Sequence, residues 1–199
     1  MCALLLLTGC SNSNTKQKID GVKINLSNKK ITIDGSEISN DKTASVYSEN
    51  DIVFYLEGKD FTYGEGTKDD EHSQNEADAH TVVHITKPGT YVLSGKLSSG
   101  QIAVDLGDDA KSDPEAVVTL VLNNADITCT VAPAIIFYNV YECADKSEEN
   151  ATKDVDTSKA GANVIIADGT VNTVNGSYVA RIYDPETVQL NDDKSEVED

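Results

Sequence analysis

An all-β fold wound as a parallel solenoid is what this sequence predicts, and three observations predict it. The first is a recurring pattern of two or three apolar residues, a tight polar turn, and further β-branched residues. It runs as Tyr91-Val92-Leu93-Ser94-Gly95-Lys96-Leu97, then Leu120-Val121-Leu122-Asn123-Asn124-Ala125-Asp126-Ile127, then Val164-Ile165-Ile166-Ala167-Asp168-Gly169-Thr170-Val171. The second is spacing. Leu93 to Leu122 is 29 residues and Leu122 to Ile166 is 44, but the second gap holds a polar insertion from about Glu142 to Gly161. Without that insertion roughly 24 to 25 residues remain, within the range of solenoid repeats. The third is turn chemistry, because Ser-Gly, Asn-Asn and Asp-Gly tolerate a left-handed backbone at low cost. Strand, sharp corner, strand, repeated, describes coils of a parallel β-helix. Each coil buries its inward row only against its neighbours. A sandwich of short antiparallel strands is the competing architecture.

Composition agrees with a β fold. The chain has 199 residues, no Trp and one Met. That length suffices for one domain with a core. No 3.6-residue apolar period persists for about ten residues. Lys and Arg number 16 against 34 Asp and Glu, a formal charge of −18. Charge attraction to nucleic acid or an anionic bilayer is thereby disfavoured, so no nucleic-acid partner is expected. An anionic polymer would need a bridging cation.

Residues 1–9 read as the remnant of a secretory signal, too short an apolar run to span a bilayer. Leu7-Thr8-Gly9-Cys10 resembles the bacterial lipobox. That resemblance implies cleavage before Cys10, acylation of its thiol, and localisation at the outer face of a cell membrane. Residues 10–18 form a flexible polar tether. Residues 19–79 read as an N-terminal β cap with an acidic loop. In it Val22 to Ile33 alternates as a hairpin, Asp34-Gly35 makes a second turn, Ile52 to Leu56 is a strand, and Gly64 to Ala79 is a solvated loop. Solenoids need such caps to cover open core and strand edges. The body is expected over 80–184, with 185–199 an acidic tail. His80 and His84, four apart on a strand, share a face. Without further ligands at matching spacing they read as structural rather than as a zinc pair.

The residues that carry a family resemblance begin at Lys87. Lys87-Pro88-Gly89-Thr90-Tyr91-Val92-Leu93-Ser94-Gly95 leads to Gly100-Gln101-Ile102-Ala103-Val104-Asp105, and then to Val118-Thr119-Leu120-Val121-Leu122-Asn123-Asn124-Ala125-Asp126-Ile127-Thr128. This succession resembles the carbohydrate-binding domain-containing family of bacterial cell-surface proteins, one member of which binds polygalacturonate and cellulose. The resemblance covers about residues 80–180. It implies a right-handed parallel β-helix similar to that of pectate lyases, bound calcium, and a polysaccharide partner. Such domains continue through many more coils, so the chain is expected to be the N-terminal part of a longer protein.

Asp105, Asp108, Asp109 and Asp113 place four carboxylates in nine residues at a strand end. Calcium wants six to eight oxygens, several from Asp. Asp126 and Asp168 follow their turns in successive repeats, so stacking is expected to bring them toward a shared calcium site with Asp105, Asp108 and Asp109. An acidic surface loop with two turn-forming aspartates is the plainer alternative. Asp154-Val155-Asp156-Thr157 opens like an EF-hand loop, but Lys159 and Ile165 stand where that loop needs Gly and Glu. Cys129 and Cys143 are candidates for a disulfide in an extracellular protein, two separate buried thiols being the alternative. Tyr138, Tyr141, Tyr178 and Tyr183 are candidate sugar-stacking residues, or ordinary half-buried strand residues.

No enzymatic activity is expected. Lyase chemistry needs a base and cationic neutralisation of a sugar carboxylate. Arg181 is the sole Arg, and Lys87, Lys96 and Lys111 are scattered. The expectation is a membrane-anchored, extracellular carbohydrate-binding protein gripping an acidic or neutral polysaccharide with calcium assistance. A structural or adhesive solenoid without a sugar site is the alternative.

Overall fold

The computed structural model describes residues 20–53, 74–143 and 157–177. Cys10, Tyr178, Tyr183, Arg181, residues 54–56 of the expected strand, residues 64–73 of the acidic loop, Asp154 to Asp156 and the acidic tail lie outside them.

The chain folds as strands shared between two sheets. The first contains β1 (Val22–Ser27), β2 (Thr32–Ile33), β3 (Ser36–Glu37), β6 (Gly89–Leu97), β8 (Val118–Thr128), β10 (Ala162–Ile166) and β11 (Thr173–Asn175). The second contains β4 (Val46–Glu49), β5 (Thr81–Ile85), β7 (Gly100–Asp105) and β9 (Ile135–Asn139). From β5 to β10 the chain alternates between the sheets. Within each sheet the neighbours so produced are parallel: β6 with β8, β8 with β10, β5 with β7, and β7 with β9. Connections of this kind, with no hairpin between sheet neighbours, separate the fold from an antiparallel sandwich.

The repeat pattern and the pairing register coincide. Leu93 pairs with Leu122, and Leu122 with Ile166. Ile24 extends the row on the other side of Leu93, and Val22, Tyr91, Leu120 and Val164 form a second row two residues earlier. Ile24, Leu93 and Leu120 have no exposed surface and Leu122 almost none, so these rows are core. Val83 and Ile102, then Ile85 and Val104, supply the facing rows from the second sheet. The intervening residues of the first sheet, Val92 and Val121, point away and pack with Ala167 in a small outer cluster. This is the two-residue alternation expected of strands.

The corners adopt the backbone that their residues permit. Gly95, Asn124 and Gly169 have φ of 88°, 59° and 70°. At Gly95 side-chain absence matters twice, because an added Cβ would lie 2.3 Å from the Leu26 carbonyl oxygen. Between β6 and β8 the register shifts at this corner, with Leu93 opposite Leu122 but Gly95 opposite Ala125. Asn124 tolerates its left-handed conformation, and its Oδ1 accepts the Val171 N–H at 3.3 Å. Replacing Asn124 by Ala is expected to cost about 1 kcal/mol, and by Gly much less, in chemical denaturation. Equal losses would show that the corner does not depend on the αL preference.

The insertion is an excursion from the repeat. Gly161 donates to the Tyr141 carbonyl at 2.9 Å, and Tyr141 donates to the Ala116 carbonyl at 3.0 Å. Both ends of the segment therefore meet at the start of β8, and the repeat resumes with Val118 N–H bonded to the Gly161 carbonyl at 2.7 Å.

The N-terminal region differs in part from expectation. The hairpin is present, with Ile24 opposite Ile33, and Asp34 and Gly35 make the second turn at φ of 47° and 86°. However, β1 runs parallel to β6 and joins the main sheet as its next strand, with β2 and β3 completing that edge. The strand expected from Ile52 is not formed at Ile52 and Val53; β4 lies just before it and closes the second sheet antiparallel to β5. A short helix, α1 (Gln74–Asp78), replaces part of the expected loop. His80 explains its position: Nδ1 donates to the Glu76 carbonyl at 2.8 Å, and Nε2 accepts the Thr130 N–H at 3.1 Å. His80 is therefore a structural tie between α1 and the segment after β8.

At the other end, β10 is the last strand of these rows among the described residues. Val164, Ile165 and Ile166 are 50%, 51% and 58% exposed, whereas the residues they stack on are buried.

Candidate functional site

The outer face of the second sheet carries a cavity of about 380 Å³. Tyr47, Val53, His84, Thr86, Ala103, Asp105, Leu106 and Gly107 line it. Register explains the grouping. Tyr47 of β4 lies opposite His84 of β5, which lies opposite Ala103 of β7, so one row across three strands reaches the same place. Strand alternation turns these residues away from the aliphatic rows of Ile85, Val104 and Ile102.

Each wall is held by identifiable bonds. The Tyr47 and His84 rings stack with centroids 4.5 Å apart and planes within 3°. Thr86 Oγ1 donates to the Ala44 carbonyl at 3.1 Å. Asp105 Oδ1 accepts from Asn139 Nδ2 and from the Gly107 N–H, both at 2.9 Å. Gly107 has φ of 92°, and nothing lies within 4 Å of where its Cβ would be. Val53 is positioned by Gln101, which is fully buried: its Oε1 accepts the Val53 N–H, and its Nε2 donates to the Val53 and Pro133 carbonyls, each at 2.9 Å.

His84 is the unusual member. It is 7% exposed, and its Nε2 lies 3.1 Å from Glu49 Oε1. The approach is off the line that a hydrogen bond needs, and Nε2 has no hydrogen-bond partner. Glu49 is meanwhile paired with Lys42. Burial holds the His84 pKa below its ordinary value, opposed by the carboxylates of Glu49, Asp51 and Asp105 and reinforced by Lys42. The Tyr47 hydroxyl is pushed up, first by burial and then by Glu49.

A pH dependence follows. In the unfolded chain His84 takes a proton near its ordinary pKa of about 6.5, whereas in the folded chain it resists. Below that pH the unfolded state binds more protons, so stability present above it is lost as pH falls through the folded pKa. Melting temperature should therefore decline between pH 7 and 5, and His84→Gln should flatten that decline. An unchanged slope in the variant would remove His84 as its source.

The predicted metal ligands are not brought together. Asp126 faces Lys96 across β6 and β8 and pairs with it at 2.5 Å. Its neighbour on the other side is Thr173, while Asp168 sits at the corner beside Leu122, because it follows Ile166 by two residues and Asp126 follows Leu122 by four. Asp108 and Asp109 lie exposed in a 3-10 turn, Asp108–Ser112. Asp105 alone reaches the cavity. Among the described residues no group of three or more His, Cys, Asp or Glu could hold a metal ion, so the expected calcium set does not fit this arrangement.

Cys129 and Cys143 are thiols, not a disulfide. Cys129 follows the far end of β8, whereas Cys143 lies two residues beyond Tyr141, which bonds beside the start of β8. The two thiols thus belong to opposite ends of β8. Burial pushes the Cys129 thiol pKa up.

Tyr138 and Tyr141 are only half-exposed, and Tyr138 packs on the core. Lys96 and Lys111 are paired with Asp126 and Glu142.

Sequence reasoning missed Tyr47, Gln101 and Asn139, and gave His84 no role. A signal existed at His84 and Gln101: each is a polar residue inside an aliphatic strand run.

Residues 79–163 match the family model described as carbohydrate-binding domain-containing protein. No curated protein and no solved structure matches. The matched segment runs from just before β5 into β10 and supplies six of the eight residues lining the cavity. That match is a similarity of this part of the chain to a carbohydrate-binding family.

Proposed function

We propose that this protein binds a polysaccharide through the outer face of its second sheet, without catalysing its cleavage. The observation that carries this reading is the overlap between the matched family segment and the cavity lining. Apolar Val53, Ala103 and Leu106 beside Asp105, Thr86 and His84 are the mixture that sugar rings require: carbon-bound hydrogens on one side, hydroxyls on the other. The parallel register in both sheets supports reading the body as the first coils of a right-handed β-helix, and the lipobox-like Leu7-Thr8-Gly9-Cys10 supports Cys10 as the point of lipid attachment at the outer face of a membrane. Calcium is left out of this reading, because Asp105, Asp108, Asp109, Asp126 and Asp168 are dispersed.

Retention on insoluble polysaccharides tests the proposal. Binding to at least one of a panel of plant and bacterial glycans is expected, and a chelator should leave it unchanged. If every glycan fails to retain the protein, the reading is lost. Binding that vanishes with chelator and returns with calcium would restore the metal. The structural or adhesive alternative is favoured by one observation, the exposed Val164-Ile165-Ile166 edge. It predicts self-assembly with no glycan retained.

A further inference from the structure

The walls of the cavity bear on which sugars it can take. Among the described residues Asp105 is the one charged residue lining it. Glu49 and Asp51 act on the same His84 ring as Asp105 does, and Lys42, which also acts on it, is already bonded to Glu49. His84 is kept neutral by burial. A ligand carboxylate here would meet Asp105 in the wall with Glu49 and Asp51 acting on the same ring, and no cationic residue lines the cavity among the described residues. Bridging by a metal would need several oxygen ligands at one point, and the described residues assemble no such group.

The same groups suit an uncharged ligand. Asp105 is fixed through Oδ1 by Asn139 and Gly107, and neither bond uses its Oδ2. A carboxylate so oriented is a preorganised acceptor for sugar hydroxyls, and such charge-assisted bonds are strong. The His84 ring stands in the same wall, with its buried Nε2 beside Glu49 Oε1 at 3.1 Å. The volume of about 380 Å³ lies at the small end of ligand sites, room for a short stretch of glycan rather than a long groove.

We infer that this cavity selects uncharged sugar units, read through their hydroxyls by Asp105, and rejects uronates. The inference rests on the carbohydrate-binding reading and narrows it, away from the acidic polysaccharide that the family resemblance first suggested.

A matched pair of probes tests it: an oligogalacturonide, and the same oligosaccharide after reduction of its carboxyl groups, alongside neutral gluco-, xylo- and manno-oligosaccharides. Calorimetry on the full chain in chelator should show a neutral oligosaccharide binding at least about tenfold tighter than the uronate, since apposed like charges cost several kcal/mol. Asp105→Asn should weaken neutral binding about tenfold and improve uronate binding, with its melting temperature checking the fold. Independently of any variant, a neutral ligand should shift the amide resonances of Thr86, Leu106 and Gly107. Uronate binding as tight as neutral binding would overturn the selectivity while leaving the carbohydrate reading intact. Neutral binding with neither the amide shifts nor an effect of Asp105→Asn would overturn the cavity as its location. Failure of every sugar to bind would remove the carbohydrate reading itself, and the inference with it.

Discussion

Gln101→Leu is expected to destabilise the protein by about 4 kcal/mol, the largest effect of any single change considered. The side chain has no exposed surface and makes three hydrogen bonds to backbone groups of Val53 and Pro133. Leucine fills the volume but leaves those groups without partners, and each buried orphan costs about 1–3 kcal/mol. Because Val53 is half-exposed, water recovers part of that cost. The consequence extends beyond stability. Gln101 ties the segment after β4 to β7 and to the turn entering β9, so Val53 leaves the cavity wall when the tie is cut. Hydrogen exchange at Val53 should accelerate, and sugar binding should weaken with it. Gln101→Glu is a sharper form of the same test. One oxygen can still accept the Val53 N–H, but the other faces two carbonyl oxygens. Burial raises that carboxyl's pKa, so this variant should be least stable at neutral pH and should recover as pH falls and the acid gains a donor. A Gln101→Leu protein that melts within a degree or two of the parent would show that the tie carries no weight.

The stacking of the strands was legible in the sequence because it is written in local chemistry. Leu93, Leu122 and Ile166 were alignable through the turn that follows each, and those turns have the left-handed residues that the aligned sequence required. The cavity was not legible, for the opposite reason. Tyr47 meets His84 across the β4–β5 pairing, and Gln101 meets Val53 at a sequence separation of 48 residues. Neither pairing leaves a periodic trace. The aspartates failed by a countable margin. Asp126 and Asp168 look alike as residues after a turn, yet a difference of two residues in their offset from the aligned aliphatics puts one beside Lys96 and the other at a corner. Turn chemistry identifies that a corner exists. It does not fix how many residues the chain uses in rounding it, and metal sites depend on that number.

That same column makes the second large prediction. Leu93 has no exposed surface and is flanked by Ile24 on one side and Leu122 on the other. Ile166 occupies the same row but is 58% exposed, with Leu122 as its one stacked neighbour among the described residues. Leu93→Ala should cost about 3 kcal/mol, because it removes buried methyl groups and leaves a cavity that strands pinned in register on both sides cannot collapse. Spread over a domain of this size, that lowers the melting temperature by about 6–12 °C. Ile166→Ala should cost under about 1 kcal/mol, since most of the deleted surface already faces solvent. The contrast separates two accounts of the fold. If burial in a continuous row is what stabilises each strand, then two residues alike in size, sheet and row must differ several-fold in cost, according to whether a layer lies on each side. Equal costs at the two positions would mean that β10 is covered in solution, and that the row continues past the last strand described.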